Sequence, residues 1–316
     1  MSERDSTGRH ERAAIVGAGT MGVGFAQVLA LGGIECRIAD AAPELAVAAR
    51  ERAIALARRY VELDLMPAGA AETIADGVQP VDSVAEAVDS ATLVLEAVPE
   101  RPELKREVYG RIEAAAAADT VIATNTSAIP ITSLSEGLRR PERFLGAHWF
   151  NPPQWVPAVE LIPSAATDPA VVTDLAETLR GLGKRPTVVR DSAGFVANRI
   201  QFAMFAEAAA VVAEGVASAE DVDDIVRSSF GFRLPFFGPF AIADMAGLDV
   251  YQGAYEALRE AHGEHFATPA LVRELVEQGR VGHKAGAGIL EPPEDIASHA
   301  ERRDQAYAAL ARLLQA

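Results

Sequence analysis

Of 316 residues only one is a cysteine, Cys36. No internal disulfide and no cysteine-built metal cluster can therefore form, which suits a reducing compartment. The residue stands in an apolar, β-rich run and reads as buried filler. Positive charge is also scarce: 29 Lys and Arg against 45 Asp and Glu leave a formal charge of −16. This balance excludes nucleic acid as a partner, because no Lys/Arg cluster exists to replace phosphate counterions. Any anionic ligand must be held by a local device, such as a helix amino terminus or one well-placed arginine. Long apolar runs are missing too. Crossing a bilayer takes about 20 apolar residues, and the most apolar helical stretch, FVANRIQFAMFAEAAAVVAEGV, is interrupted by Asn198, Arg199, Glu207 and Glu214. The opening MSERDSTGRHER is charged throughout, so it reads as a flexible arm and not as a secretory signal. Together these absences point to a cytoplasmic globular protein with no membrane partner.

The chain is 49% hydrophobic, and its length favours two domains. From Arg12 to about Arg190, short β-rich runs (AAIVGAG, ECRIAD, ATLVLEAV, TVIATN, FLGAHWF, PTVVR) alternate with helical segments, the signature of an α/β fold with a parallel sheet and crossover helices. Between Asp40 and Ala91 the connection is too long for one crossover. A long helix followed by a shorter one, over about 43–80, reads as an insert projecting from the sheet. After VVRDSAGFVANR the pattern becomes helical, which places the boundary near Asp191, with an α/β domain over 1–191 and an all-helical domain over 192–316. The helix from Phe195 to about Gly215 is apolar around most of its circumference, which implies burial on several sides, in a small helical domain commonly by a partner subunit.

AAIVGAGTMGVGFAQVLALGG sets Gly17, Gly19 and Gly22 in a G-x-G-x-x-G pattern directly after a strand and at the opening of a helix. Gly17 makes the tight turn, Gly19 admits a pyrophosphate against the backbone, and Gly22 lets helix and strand pack closely. Thr20 and Met21, the first residues of the helix, complete the expected cofactor contacts. The pattern alone would also suit a flavin binder. Asp40, at the end of ECRIAD and eighteen residues beyond Gly22, supplies the acceptor expected for a ribose 2′-hydroxyl. An aspartate there repels the 2′-phosphate of NADP, and the following AAPE offers no arginine to hold one, so the expected cofactor is NAD. Glu96, ending VLEAVPE, falls at a carboxyl strand edge and is a further cofactor candidate, although a solvated strand-end acid would look the same.

Removing hydride from an alcohol carbon requires a base for the hydroxyl proton, and histidine titrates in the right range. Of the six histidines, only His148 ends an apolar strand in the cofactor-binding half. His10 lies in the arm, and His262, His265, His283 and His299 fall in polar surroundings. A lone strand-end histidine is commonly a packed core residue. Glu160 changes the weighing: it sits in the apolar run VPAVELIP, where an ionised carboxylate is costly unless paired. A turn at Asn151-Pro152-Pro153 would bring Glu160 back beside His148, where it could fix the tautomer and favour the imidazolium.

These motifs, with ATNTSAIPI, GAHWFNPP, GFVANRI, FAIADMAGLD and GRVGHKAGAG in order along almost the whole chain, resemble the 3-hydroxyacyl-CoA dehydrogenase family in its short single-enzyme form. The resemblance implies a doubly wound, Rossmann-type NAD-binding domain followed by a helical dimerisation domain, hence a homodimer acting on a small-molecule substrate. It makes His148 the base and Glu160 its partner. It implies that Ser127 and Asn198 hold the substrate's oxygen atoms and that Asn151 lies near the nicotinamide. Read without the family, Ser127 would be a turn residue and Asn198 a helix-surface residue.

Two departures bear on the substrate. CoA-using relatives carry a lysine in the helical insert, where this chain has Glu62 and Asp64, with only Arg58 and Arg59 one turn earlier. The segment FGFRLPFFGPF carries Arg233, resembling branches that act on free carboxylates such as L-gulonate, carnitine and hydroxy-pyridine carboxylates. An arginine can clamp a carboxylate bidentately, although a surface or interface arginine would read alike. The expectation is oxidation of a β-hydroxyl on a small free hydroxy-carboxylate, with an L-3-hydroxyacyl-CoA as the alternative substrate. Trp149, Trp155, Phe236 and Phe237 could line its pocket or simply pack a core. The lysine-dependent β-hydroxyacid dehydrogenases are disfavoured because GFVANRI has no lysine. A non-catalytic NAD-binding protein would have no reason to keep His148, Glu160, Ser127 and Asn198 together.

Overall fold

In the computed structural model, which describes residues 10–315, the strands are β1 (Arg12–Val16), β2 (Glu35–Ala39), β3 (Val78–Pro80), β4 (Leu93–Glu96), β5 (Val121–Thr124), β6 (Phe144–Trp149), β7 (Ala158–Pro163) and β8 (Arg185–Val188). The helices around them are α1 (Thr20–Leu31), α2 (Pro43–Glu62), α3 (Ala70–Gly77), α4 (Val84–Val88), α5 (Pro102–Ala115), α6 (Ile131–Ser135) and α7 (Pro169–Gly181), and α8 (Ala197–Ala213) follows the last strand. The strands form one sheet in the order β3-β2-β1-β4-β5-β6-β7-β8. Neighbours are parallel except β6 and β7. Strand order reverses between β1 and β4, and in a doubly wound sheet this is the point where the carboxyl ends diverge into a ligand crevice. Because a strand alternates its side chains, β1 sends Ala13 and Ile15 to one core and Ala14 and Val16 to the other. Both faces are thus covered, as a largely parallel sheet requires.

The helical insert does not project. Ala46, Ala49, Ala53, Ile54 and Ala57 of α2 and Ala70, Ala71 and Ile74 of α3 are buried in the same core as Phe25 and Leu29 of α1. Alanines at helical spacing let the backbones approach closely enough for Gln27 to donate 2.9 Å to the carbonyl of Ala53. β3 is too short to stand out in the sequence. The arm reading falls on residues 1–9, outside those described, but His10 is no part of an arm: it is buried, with Nδ1 3.2 Å from Thr92 Oγ1. Cys36 is buried in β2, and burial pushes its thiol pKa up to about 12. Trp149 is a buried core residue, its ring tilted against that of Phe25 at a centroid distance of 5.1 Å.

The chain divides into two compact units, one running to Met204 and one from Phe205. The sequence places the change of character near Asp191, whereas the division by packing lies inside α8. Beyond the rest of α8, the helices of the second unit are α9 (Ala219–Ser228), α10 (Phe230–Arg233), α11 (Pro239–Ala246), α12 (Leu248–His262), α13 (Ala270–Glu277) and α14 (Ile296–Gln315). Its small core joins Ala243, Leu248, Val272 and Leu275. Tyr307 of α14 packs among Phe232, Phe236 and Phe237, at centroid distances of 5.6, 6.0 and 6.0 Å, so Phe236 and Phe237 belong to an aromatic cluster with α14. Among the described residues no helix is long and apolar enough to cross a membrane.

Candidate active site

The antiparallel return after Asn151-Pro152-Pro153 sets the register of β6 on β7 so that His148 stands directly opposite Glu160. Directly opposed residues share a face, and their side chains meet. His148 Nδ1 lies 2.8 Å from Glu160 Oε2, with both residues buried. The other carboxylate oxygen accepts 3.0 Å bonds from the backbone N–H groups of Val196 and Ala197 at the start of α8. Glu160 therefore orients the imidazole and caps a helix at once. Burial alone would raise its pKa. The bonds from His148, Ala197 and Val196 and the imidazole's charge outweigh that and hold the carboxyl below its ordinary range.

The ring is fixed from its sides by Phe150 and Phe195, at 4.5 and 5.6 Å. Phe195 is buried and adopts φ +49°, a left-handed conformation that costs a bulky residue strain, of order 1–3 kcal/mol. Nothing in the sequence flags that conformation beyond the neighbouring Gly194. The loop joining the two strands is tied down by Lys184, whose buried ammonium donates to the carbonyls of Pro153 and Val156 and sits 5.4 Å above the Trp149 ring. Burial lowers its pKa.

Ser127 and Asn198 are brought together: Asn198 Nδ2 donates 2.9 Å to the carbonyl of Ser127. The Ser127 loop is held from below by Glu100, which the sequence reading passed over. One Glu100 oxygen, Oε1, accepts from Thr126 Oγ1 (2.6 Å), Ser127 N (2.8 Å), Ala128 N (3.2 Å) and Ser127 Oγ (3.3 Å). Burial pushes the Glu100 carboxyl up, but the Thr126 and Ser127 bonds, the Lys105 charge and the Ala128 bond bring it below its ordinary range. The available signal was the second acid of VLEAVPE with a lysine five residues on. The first acid, Glu96, expected as a cofactor contact, has its side chain turned into the protein instead. It has no exposed surface and is enclosed by Val98 N, Lys105 Nζ, the Tyr109 hydroxyl and Thr124 Oγ1, at 2.7, 2.8, 2.8 and 2.6 Å.

At the β1–β4 crevice the glycines meet the demands placed on them. Gly17 has φ +112°, and a Cβ there would lie 2.5 Å from the carbonyl oxygen of Ala97, while one on Gly22 would lie 2.0 Å from that of Gly17. A Cβ on Gly19 would meet nothing within 4 Å, so the space above the start of α1 is open. Gly19 gives α1 no side-chain cap, leaving the first-turn N–H groups, including those of Thr20 and Met21, for an anion. Asp40 accepts from Ala18 N (2.5 Å) and Ala41 N (2.6 Å). Each of its oxygens keeps a lone pair that a ribose hydroxyl could use. These residues fit a dinucleotide. Asn151, exposed, follows β6 on the same carboxyl side.

A doubly wound sheet that presents such a crevice and a buried His–Glu pair defines a nicotinamide-dependent dehydrogenase. Comparison with known proteins narrows this. Residues 12–192 match the 3-hydroxyacyl-CoA dehydrogenase NAD binding domain, and residues 194–292 match the C-terminal domain of the same family. The 5-formyl-3-hydroxy-2-methylpyridine 4-carboxylate 5-dehydrogenase of Mesorhizobium japonicum is 36% identical over 305 residues, covering 96% of this chain and 97% of that one. A probable 3-hydroxybutyryl-CoA dehydrogenase of Bacillus subtilis is 32% identical over 281 residues, covering 89% and 96%. Among solved structures, a 3-hydroxyacyl-CoA dehydrogenase of Archaeoglobus fulgidus superposes with TM-score 0.81 at 32% identity, covering 97% and 99%. The chain belongs to the 3-hydroxyacyl-CoA dehydrogenase family and is an NAD-dependent oxidoreductase.

Glu100 and Glu160 give the fold a calculable acid sensitivity. Both carboxyls titrate lower folded than unfolded, so the unfolded chain binds more protons as pH falls through the ordinary glutamate range near about 4.3. Their stabilisation is complete above that range and is lost below it. The melting temperature should fall as pH drops from 5 toward 3, with a shallower fall in Glu160→Gln. A Glu160→Gln profile parallel to that of the natural chain would contradict the assignment.

Proposed function

We propose that the protein oxidises the β-hydroxyl of a small free hydroxy-carboxylate, with His148 as the base. The observation that carries this reading is the buried 2.8 Å contact between His148 Nδ1 and Glu160. A carboxylate there keeps the proton on Nδ1, leaving Nε2 with a lone pair to accept the substrate's hydroxyl proton. NAD, when bound, would supply the acceptor for the hydride leaving the same carbon. Gly17, Gly19, Thr20, Met21 and Gly22 are the residues that would hold its pyrophosphate, Asp40 its adenosine ribose and Asn151 its nicotinamide end. Ser127 and Asn198 hold the oxygen that becomes a carbonyl, donating to it without competing as bases. Glu160 stabilises the imidazolium until its proton is released.

Arg233 favours the carboxylate substrate. Among the described residues its guanidinium has no hydrogen bond or ion pair, and it remains available to an anion. In the insert, Arg59 is paired with Glu62 at 3.2 Å, so of the two arginines there only Arg58 is left to meet the phosphates of CoA. The pyridine carboxylate dehydrogenase from Mesorhizobium, similar over nearly its whole length, supports the same choice. The 32% identical 3-hydroxybutyryl-CoA dehydrogenases support the alternative, an L-3-hydroxyacyl-CoA. An NADH-formation screen of 3-hydroxybutyryl-CoA against gulonate, carnitine and hydroxylated pyridine carboxylates decides between them. A preferred thioester would overturn the carboxylate reading. Under that reading Arg233→Gln should raise KM for the accepted carboxylate about tenfold or more, the loss of one charge-assisted pair.

The working form is proposed to be a homodimer in the cytoplasm, where its single thiol stays reduced. In support, Ile200, Phe202 and Phe205 of α8 are 57, 63 and 67% exposed, although the sequence pattern asks for burial. Analytical ultracentrifugation should give twice the chain mass, and a monomer at micromolar concentration would refute it.

A further inference from the structure

Glu96 and Lys105 are among the most deeply buried residues of the first unit, at 0 and 1% exposure. Replacing a buried ion pair with apolar side chains of similar volume is frequently neutral or stabilising, so stability alone is a weak reason for this one. We propose that Glu96 and Lys105 are positioning residues that lock the loop carrying Ser127. The proposal rests on the reading of Ser127 as a contact for the reacting oxygen.

Two routes lead from the Glu96 carboxylate to that loop. On one side Oε1 holds Lys105 Nζ at 2.8 Å, and the same ammonium lies 3.5 Å from Glu100 Oε2. Glu100 then collects the Thr126 hydroxyl and the Ser127 and Ala128 amides on its other oxygen. With its side chain 38% exposed, Glu100 would be free to turn toward water if Lys105 did not pin the first oxygen. On the other side Oε2 accepts from Thr124 Oγ1 at 2.6 Å, and Thr124 Oγ1 in turn accepts from Thr126 N at 3.3 Å. The Tyr109 hydroxyl braces this second route, 2.8 Å from Glu96 and 2.9 Å from Thr124. The backbone adds Asn125 N to the Glu96 carbonyl at 2.8 Å. One buried carboxylate thus fixes both ends of Thr124–Ala128, and the Ser127 carbonyl receives Asn198 from α8. Small displacements of a positioning group can cost about 10²-fold in rate, which gives the lock a catalytic purpose.

The test uses the full chain and three readouts: hydrogen exchange of the peptide spanning residues 124–131, NADH affinity by fluorescence, and kcat with the best substrate of the screen. In Glu96→Gln the carboxamide oxygen stays with the obligate donors Val98 N and Lys105 Nζ while its NH₂ turns to the Tyr109 and Thr124 hydroxyls, so Lys105 loses its counter-charge and Thr124 loses its acceptor. The Ser127 and Ala128 amides should exchange about tenfold faster, and kcat should fall about tenfold. The Glu96→Gln/Lys105→Met double variant separates positioning from packing. Its melting temperature should return toward that of the natural chain, while the loop stays fast and kcat stays low, because Glu100 has now lost its ammonium. If Glu96→Gln does not fold, Glu100→Gln carries the test at the exposed end and should speed the same amides. The lock is overturned if folded Glu96→Gln keeps both loop protection and kcat, or if the double variant recovers stability, protection and kcat together. His148→Gln measured in parallel keeps the two ideas apart: an active His148→Gln refutes the proposed function, while the exchange data still decide the lock.

Discussion

A His148→Gln enzyme is expected to bind NADH with unchanged affinity and to turn over about 10²–10⁴-fold more slowly, the usual contribution of a general base. Glutamine is a fair stand-in for the part of the imidazole that faces Glu160. Its amide can donate to Oε2, so the buried carboxylate keeps a partner and the chain has no reason to unfold. What it lacks is a nitrogen able to accept a proton near neutral pH. The dinucleotide crevice is built from the turn after β1, with Gly17 against Ala97 and Asp40 holding Ala18, and none of those contacts involves His148. The loss should therefore appear in kcat at saturating cofactor, with the NADH dissociation constant unmoved. Turnover close to that of the natural chain in a folded variant would remove His148 from the chemistry.

The parts of the fold and site legible in the sequence are those where local chemistry dictates geometry. Gly17 and Gly22 were readable because no side chain fits against Ala97 or Gly17. The opposition of His148 and Glu160 was readable because a charged residue in an apolar run demands a partner, and a tight turn between two strands leaves few candidates. The illegible parts depend on long-range packing. Nothing in the spacing of TLVLEAVPE distinguishes an acid at the strand end from one in the following loop. In the sequence Glu96 therefore reads as the ligand contact, whereas the pinning of Glu100 by Lys105 depends on the packing of α5. The insert was expected to project because its length exceeds a crossover, but the alanine face of α2 that docks it on α1 emerges only when both helices are placed. His10 reads as part of a charged arm because its partner, Thr92, lies 82 positions away in the chain.

Glu160 supports the sharpest separation, because its two oxygens do different work. Glu160→Ala removes both functions. It leaves the Val196 and Ala197 amides without their acceptor, worth about 1 kcal/mol for a lost helix cap, and strands a buried imidazole N–H, worth about 1–3 kcal/mol. A drop in melting temperature and a loss of rate should therefore arrive together. In Glu160→Gln the carbonyl oxygen can still receive the two amides, so the cap survives and the melting temperature at neutral pH should stay near that of the natural chain. Its amide nitrogen, however, must face His148 Nδ1 and can only donate to it. The ring proton is driven to Nε2, the atom that should be taking the proton from substrate, and the turnover should fall about 10³–10⁴-fold in a stable protein. Should the glutamine side chain flip to accept from Nδ1 instead, its nitrogen would confront the two helix amides, and the cost would reappear as lost stability. Circular dichroism melts and kcat measured on both variants resolve these cases. Undiminished turnover in Glu160→Gln would mean that neither the charge nor the tautomer matters, leaving Glu160 as a helix cap alone.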